Sequence, residues 1–323
     1  MAYAYLGIDI AKRKYDVALR LPDARVRVKA FANDAAGHAA LRSWITRYHA
    51  GPVHACLEAT GPYGDGVAET LADAGLVVSV VNPAIIEAYA RSCLTRTKTD
   101  PTDARLIAQF CATQQPRPWV PLPPEVRALQ ALVRRLDALE GMRTQERNRL
   151  AADPPAEVRD SLTHVIALLE AEMEAVRLRL RAHVDQHPHL RQQRDLLTSI
   201  PGIGDATAAV LLAEFGPMGR FRQARAAAAF AGVVPREGRS GTSLRRRPRL
   251  SKLGAPAIRK ALYFPALTAL RCNPIAQRLQ ARLLADGKHR MLIVGAVMRK
   301  LVHLAFGVLK TGQPFRPDFA QTH

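Results

Sequence analysis

Four acidic residues in the first third of the chain have the composition of a divalent-metal site. Asp9 and Glu58 each lie at the end of a short apolar run, where a buried strand would hold the carboxylate at the edge of a sheet. Asp100 and Asp103 are three residues apart at the start of a helical pattern, so one helix face can carry both. Carboxylates gathered from distant segments repel one another unless a cation lies between them, and Mg²⁺ suits such oxygen ligands. Two ions about 4 Å apart would polarise a phosphate; the alternative is four ordinary surface acids.

The elements that must position these residues alternate along residues 1–115. The runs predict, in order, strands 4–10, 14–21 and 25–31, helix 35–48, strand 53–58, helix 63–74, strand 76–81, and helices 83–92 and 102–113. Three antiparallel strands followed by strand–helix alternation are typical of an RNase H-like mixed sheet. Asp9 and Glu58 would then be neighbours, with Asp9 on the central strand as the expected bridging ligand.

The net charge favours nucleic acid as the partner. The 323 residues carry +19 with a sequence pI near 10.6. Residues 1–115 hold 13 Lys and Arg against 11 Asp and Glu, whereas residues 217–260 hold 12 Lys and Arg against the single acid Glu237. Clustered cations displace counterions from phosphate backbones. An anionic membrane is a weaker alternative, because the basic stretch has no apolar face, and we expect no membrane partner.

The middle of the chain predicts a linker followed by a coiled-coil hairpin. Residues 116–124 contain five prolines and favour a stiff linker. In residues 125–190, apolar residues recur at three- and four-residue steps on both sides of a Pro-Pro turn, which predicts two antiparallel helices. The hairpin could be an assembly arm for a homo-oligomer, a dimer or tetramer, or an intramolecular spacer.

Residues 191–323 predict a mostly helical domain. The segment 200–205, Ile-Pro-Gly-Ile-Gly-Asp, resembles a helix-hairpin-helix turn, whose backbone N–H groups can approach a phosphate; a plain helix–helix corner is the alternative. The apolar stretch Met291–Leu309 contains charged residues and predicts a core helix rather than a membrane span. The four cysteines have no CxxC spacing, which fits a reducing cytosol. No signal peptide is expected at the start of the chain.

A serine in the basic segment is a candidate nucleophile. Ser240 precedes a glycine and is flanked by arginines that could bind phosphate oxygens. A serine of this kind is more often a turn residue. No histidine–aspartate pair stands near it in the sequence, so a metal ion or arginine would have to activate the hydroxyl.

The order of several segments resembles one family of insertion-sequence transposases. These segments are GIDIAKRKYDVAL, EATGPYG, KTDPTDARLIA, SIPGIGDATAAVLLAEFG, and AGVVPREGRSG followed by RLSKLGAPAIRKAL. The family has a DEDD-type, RuvC-like N-terminal domain and is related to the Piv-type DNA invertases. The resemblance extends from about Tyr5 to Leu309.

The resemblance implies a set of roles for these residues. Asp9, Glu58, Asp100 and Asp103 match the Mg²⁺-binding DEDD carboxylates, and Ser240 matches the serine nucleophile of the C-terminal domain. Similar members are recombinases guided by a structured RNA that pairs with donor and target DNA. A bacterial cytoplasmic, nucleoid-associated protein is the corresponding expectation.

Two departures from the family pattern leave the nucleophile open. Ala255 stands where the family commonly has Asn, and the segment after Ser240 is rich in arginine. Ser243 and Ser251 are therefore rivals of Ser240, although Ser251 would equally suit a helix N-cap. The nucleophile would act with carboxylates of the same chain or of a partner subunit.

Three functions are compatible with these residues. The first is an RNA-guided, Mg²⁺-dependent DNA recombinase with a covalent 5′-phosphoserine intermediate. The second is a hydrolytic nuclease of the Holliday-junction-resolvase type, in which the carboxylates activate water. The third is a non-catalytic nucleic-acid-binding protein with a degenerate RNase H fold, which the intact carboxylate set disfavours. A covalent protein–DNA adduct distinguishes the first from the second.

Overall fold

The computed structural model of the chain divides into two units, Met1–Pro121 and Leu122–His323. It describes residues 2–59, 63–93, 100–240, 244–251 and 253–317, with the backbone alone for 100–101, 236–240 and 244–249.

The described part of the first unit contains five strands and four helices. They are β1 (Ala4–Ile10), β2 (Lys14–Arg20), β3 (Val26–Ala32), α1 (Ala35–Tyr48), β4 (Val53–Glu58), α2 (Asp65–Asp73), β5 (Val77–Val81), α3 (Pro83–Ser92) and α4 (Asp100–Gln114). Local chemistry fixes two of the helix starts. The Asp34 carboxylate accepts a hydrogen bond from Gly37 N at 2.8 Å, and the Asn82 side chain accepts one from Ala84 N at 2.9 Å.

The five strands form one mixed sheet in the order β3-β2-β1-β4-β5. β1 is antiparallel to β2 and parallel to β4, and β4 is parallel to β5. The predictions of a mixed sheet, of a central β1 and of β4 as its neighbour are therefore confirmed.

Alternation along the strands gives the sheet two buried faces. Leu6 and Ile8 of β1 lie in a core with Leu41 of α1 and Leu71 of α2. The residues between them project to the other face, which α4 covers. At Gly7 a Cβ atom would lie 2.9 Å from the Cα of Ala108 and closer still to backbone atoms of Ala104 and Ala108. Only glycine permits this close contact between β1 and α4.

The proline-rich segment after α4 is bound to the sheet of the first unit. Trp119 N donates to the Val78 carbonyl at 2.7 Å. The buried Ser79 hydroxyl lies 2.9 Å from the Pro116 carbonyl and 2.8 Å from His54 Nε2. Burial lowers the pKa of His54, so its neutral ring can donate to this hydroxyl at neutral pH. These contacts anchor the first part of the predicted linker.

The described part of the second unit is mostly helical. Its elements are α5 (Pro124–Ala151), α6 (Ala156–Gln186), α7 (Pro188–Thr198), α8 (Asp205–Phe215), a 3₁₀ turn (Met218–Arg220), α9 (Ala224–Phe230), β6 (Pro235–Ser240), β7 (Leu244–Leu250), α10 (Pro256–Cys272), α11 (Pro274–Ala285) and α12 (Arg290–Thr311). The antiparallel pair β6–β7 was not predicted.

α5 and α6 form an antiparallel hairpin. His183 Nε2 lies 2.8 Å from the Glu125 carbonyl near its base, and Arg147 pairs with Glu170 at 2.5 Å toward its tip. A small apolar cluster of Leu139, Met173 and Val176 lies between these contacts. Two long helices therefore follow the Pro-rich segment, as the apolar periodicity predicts.

α12 is the central helix of the second unit's core. Among the described helices it alone is long and apolar enough to cross a membrane. Ten of its residues are buried, and several pack with residues of α8, α9 and α10 in one cluster. These contacts account for its apolar composition.

Candidate active site

Asp9 and Glu58 lie side by side at the carboxyl ends of two parallel strands. The β1–β4 register pairs Ile8 with Leu57, so Asp9 and Glu58 are the next residues along each strand. Both alternate with core residues and project to the face that α4 covers. Both are half-buried. The sheet thus brings these two predicted site residues together.

The first turn of α4 lies toward the same edge. Ala104 and Ala108 pack on Gly7, while Cys111 Sγ lies 3.4 Å from the His54 carbonyl, which is farther from the carboxyl edge. α4 therefore runs antiparallel to β1, and its acidic start points toward the level of Asp9. Asp103 is half-buried in this turn. For Asp100 the backbone position at the helix start is described, and its side chain lies outside the described part.

A fifth carboxylate, Asp16, was missed from the sequence. It is the direct partner of Asp9 in the antiparallel β1–β2 register and is only 7% exposed. Directly opposed residues in an antiparallel pair have Cβ atoms roughly 4.5–5.5 Å apart and share a face. Lys14 Nζ lies 3.1 Å from Asp16 Oδ2 and offsets part of the repulsion between the two acids. The alternation Lys-Tyr-Asp-Val-Ala-Leu could have revealed Asp16, had the hairpin register been considered.

The ligand chemistry of this edge fits a hard divalent cation. Asp9, Glu58 and Asp103 offer only oxygen atoms, which such ions prefer. Among the described side chains, no group of three or more His, Cys, Asp or Glu residues is close enough to hold a metal ion. Asp9, Glu58 and Asp103 are all described, so the structure does not gather these three carboxylates into a metal-binding group, and the side chain of Asp100 lies outside the described part. The four-carboxylate metal site stays a prediction.

Of the three candidate serines, the structure describes the surroundings of one. Ser240 ends β6, and its backbone pairs with that of Leu244 at the start of β7. The side chain of Ser240 and all of Ser243 lie outside the described part. Ser251 N donates to the Val234 carbonyl at 2.8 Å. The alternative role of Ser251 as a helix N-cap is wrong, because α10 begins at Pro256 and its cap is Ala255.

Two tightly packed glycines support the base of the basic hairpin β6–β7. Gly254 has φ +135°, and a Cβ there would lie 2.7 Å from the nitrogen of Gly232, which itself has φ +68°. Ala255 N also donates to the Phe230 carbonyl at 2.8 Å. Residues on both sides of the hairpin are thereby held against the end of α9.

The segment 199–204 forms a tight corner between α7 and α8. Gly202 has φ +105°, and a Cβ there would lie 2.9 Å from the Ala269 side chain of α10. The Pro201 carbonyl accepts a hydrogen bond from the buried Asn273 side chain at 3.1 Å. Gly202 therefore serves packing, while Gly204 at the start of α8 has open space around it. Phosphate binding at this turn stays a prediction.

Comparison with known proteins connects both regions to DNA rearrangement. Residues 6–152 match a family described as a transposase with a DEDD domain, and residues 194–281 match the family described as "Transposase IS116/IS110/IS902 family". The first match includes all four predicted carboxylates, and the second includes all three candidate serines.

Whole-length relatives support the same assignment. The chain is 31% identical over 322 residues to the pilin gene-inverting proteins of Moraxella bovis and Moraxella lacunata, covering 98% of each chain. A partial match is also found: the chain is 27% identical over 152 residues to an insertion element IS110 protein of Streptomyces coelicolor, and the match covers 47% of this chain and 36% of that protein.

Proposed function

This chain belongs to the IS116/IS110/IS902 transposase family and is a DNA recombinase, and from that premise we propose that it is an RNA-guided, Mg²⁺-dependent enzyme that exchanges DNA strands through a phosphoserine intermediate. The observation that carries the proposal is the adjacency of Asp9 and Glu58 at the carboxyl ends of β1 and β4, with the first turn of α4, which carries Asp103, on the same face of the sheet. The strand order and the antiparallel-then-parallel pairing support an RNase H-like fold for the first unit.

The proposed site holds divalent ions through Asp9, Glu58, Asp100 and Asp103. When bound, such ions polarise the scissile phosphate and stabilise charge on the attacking and leaving oxygens. The residues of the chain contribute position: the sheet fixes Asp9 and Glu58, and the Gly7 contact fixes the helix that carries Asp103. Asp16 lies directly opposite Asp9 on β2 and is itself paired with Lys14.

The proposed nucleophile is the Ser240 hydroxyl, acting with carboxylates of its own chain or of a partner subunit. Its Oγ bonds to phosphorus while the bond from phosphorus to the 3′ oxygen breaks. One proton leaves the serine and one joins the departing 3′ oxygen, so the exchange is balanced. A 3′-hydroxyl of another strand then attacks the phosphoserine and releases the enzyme. The phosphodiester energy is retained, so no nucleotide cofactor is required.

Two further features support the proposed partners. The +11 charge of residues 217–260 favours polyanions, in keeping with donor DNA, target DNA and a structured guide RNA. The α5–α6 hairpin exposes apolar side chains such as Leu168 and Leu178, each more than half exposed. A second copy of the hairpin would cover them in a dimer or tetramer. The corresponding proposed location is the cytoplasm, where the enzyme would be associated with the nucleoid.

A trapped covalent adduct tests this chemistry. The full-length protein, together with the RNA that co-purifies with it, is incubated with Mg²⁺ and a nicked DNA substrate that loses its 3′-hydroxyl fragment after cleavage. The mass of the species joined to the 5′ end is then measured. We expect a protein–DNA adduct that Ser240→Ala abolishes and that Ser243→Ala and Ser251→Ala, the matched controls, retain.

The other outcomes point to different functions. An undiminished adduct in Ser240→Ala would transfer the role to Ser243 or Ser251. Cleavage without an adduct in the wild-type protein would identify a hydrolytic nuclease. Binding without cleavage, in the presence of the co-purified RNA, would identify a non-catalytic nucleic-acid-binding protein.

A further inference from the structure

A cavity in the second unit lies outside all the regions considered above. It has a volume of about 140 Å³ and lies between α11, α12 and the segment 313–316. We name it the α12 cavity; its lining includes Ile275, Lys300, His303, Thr311, Phe315 and Arg316. One water occupies roughly 30 Å³ in the liquid, so the cavity can hold a small polyatomic ion.

The segment that closes the cavity is fixed at two points. Phe315 N donates to the Ser199 hydroxyl at 2.8 Å, and Arg278 Nη2 donates to the Pro317 carbonyl at 3.1 Å. The side chains of Phe315 and Arg316 thus line a formed pocket. A pocket whose walls are already held in place loses little conformational entropy when a ligand binds.

The charge around the α12 cavity is of one sign. Burial lowers the pKa of Lys300, and the neighbouring Arg282 and Arg278 lower it further. Burial also lowers the pKa of His303, with additional contributions from Arg299 and Lys300. Within the described part of the chain, no carboxylate forms an ion pair with any of these five groups. An anion would relieve the repulsion among Lys300 and the three arginines, whereas the lowered pKa leaves the His303 ring neutral at neutral pH.

One polar atom at the cavity is buried without a hydrogen bond. Nε2 of His303 has no partner among the described residues, although His303 lines the cavity. Buried polar atoms nearly always have a partner, and one without any needs an explanation. A ligand oxygen in the α12 cavity would provide the missing hydrogen bond once the His303 ring turns Nε2, which is buried, toward the cavity.

We propose that the α12 cavity binds a phosphate group of a nucleic-acid strand, with Lys300, His303 and Arg316 as its contacts. The inference rests on the proposed function for the identity of the strand. Phosphate oxygens can accept from all three side chains at once, and cationic donors make the stronger hydrogen bonds. The apolar walls formed by Ile275 and Phe315 exclude water and strengthen these interactions.

The surrounding surface favours a strand over free phosphate. Arg278 and Arg282 on α11 are exposed beside the cavity, where a strand would place its neighbouring phosphates. Residues 274–317 contain eight Lys and Arg against the single acid Asp286. This second basic region is separate in sequence from residues 217–260 and contains no candidate serine.

Binding of a fluorescent single-stranded DNA by the full-length protein tests the proposal. Affinity is measured over a range of NaCl concentrations for Lys300→Gln and for Lys288→Gln, an exposed cation between α11 and α12 that does not line the cavity. Each variant loses one positive charge. We expect Lys300→Gln to lose about tenfold in affinity and to flatten the log–log salt slope by about 0.7, and the control to change less than about twofold.

Two further measurements keep the result unambiguous. If Lys300→Gln lowers the thermal midpoint, its affinity loss could reflect destabilisation, and Arg316→Gln, on the exposed segment, is the second variant. Arg316→Gln should show the same affinity loss at an unchanged thermal midpoint. In ¹⁵N-histidine spectra the His303 resonance should shift on addition of the DNA and less with equimolar inorganic phosphate. Affinities of both variants equal to the control, or a His303 shift that is as large with inorganic phosphate as with the DNA, would overturn the proposal. Neither readout depends on strand cleavage, so the serine chemistry can fail independently.

Discussion

Replacing Gly7 by alanine should separate catalysis from nucleic-acid binding. The new methyl would lie 2.9 Å from the Cα of Ala108 and closer still to the Ala104 carbonyl oxygen, where ordinary contacts are 3.4–4 Å. Because all these neighbours are backbone atoms, α4 has to move away from β1 by about 1 Å. Asp103 moves with it while Asp9 stays on the sheet.

The expected size of the effect follows from this displacement. Overpacking of this kind costs about 1–3 kcal/mol, which lowers the melting temperature of a domain by about 4 °C for each kcal/mol. A misplacement of about 1 Å in a catalytic constellation can cost about 100-fold in rate. DNA affinity should stay within about twofold, because the basic segments are in the second unit.

The assay compares single-turnover cleavage, DNA affinity and thermal unfolding of the full-length protein at a temperature well below the transition. Gly141→Ala is the matched control, since a Cβ at Gly141 in α5 has nothing within 4 Å. It should cleave at the wild-type rate and gain slightly in stability, because alanine favours helix. Wild-type cleavage and melting in Gly7→Ala would refute the argument that the close contact between β1 and α4 positions the site.

Two other substitutions test the metal site and the corner between α7 and α8. Asp9→Asn should abolish Mg²⁺-dependent cleavage and weaken the binding of Mn²⁺ measured by electron paramagnetic resonance, while DNA affinity is kept. Asp23→Asn, in an exposed turn beside Arg25, is its control. Cleavage activity that survives in Asp9→Asn would reject the metal assignment. Asn273→Ala should lower the free energy of unfolding by about 2–4 kcal/mol in denaturant titration, because it removes the cap of α11 and leaves the Pro201 carbonyl unpaired. Asn148→Ala, exposed on α5, should leave the free energy of unfolding unchanged. An equal loss in both variants would contradict this account.

The order of elements in the first unit could be predicted because it depends on local signals. The strand at Ala4–Ile10 and the helices at Ala35–Tyr48 and Pro83–Ser92 have the predicted bounds. Apolar alternation marks the strand, while Asp34 and the Asn82-Pro83 pair mark the helix starts. Neighbouring residues suffice for such signals.

The β6–β7 hairpin could not be predicted in the same way. Its second strand, Leu-Arg-Arg-Arg-Pro-Arg-Leu, has no apolar alternation and contains a proline, both of which argue against a strand. The pairing is supported instead by Gly232 and Gly254, which are far apart in sequence and meet only in the folded unit.

The four carboxylates and the adjacency of Asp9 and Glu58 could be predicted from the sequence, whereas the positions of Asp16 and Gly7 in the site were not predicted. Asp16 depends on the β1–β2 register, and the role of Gly7 depends on where α4 crosses the sheet. The α12 cavity likewise requires Lys300 and His303 to meet the segment 313–316, about one helix length away in sequence. The contact of Gly7 with α4 joins residues far apart in the sequence and leaves no signal in a local pattern, unlike the hairpin register that pairs Asp16 with Asp9.

The distribution of charge in the chain follows from the chemistry proposed for it. A sheet edge that carries Asp9, Asp16 and Glu58 repels a DNA backbone, so it cannot supply the binding energy for its own substrate. Catalysis is therefore assigned to the near-neutral first unit, and DNA binding to residues 217–260, whose net charge is +11. Clustered cations provide affinity by releasing counterions from the phosphate backbone. Binding energy gained away from the reacting phosphate can then hold that phosphate against the carboxylates and any ion between them. Lys14, which pairs with Asp16 at 3.1 Å, is a basic residue near this edge, and its ammonium group would compete with a divalent cation for that carboxylate.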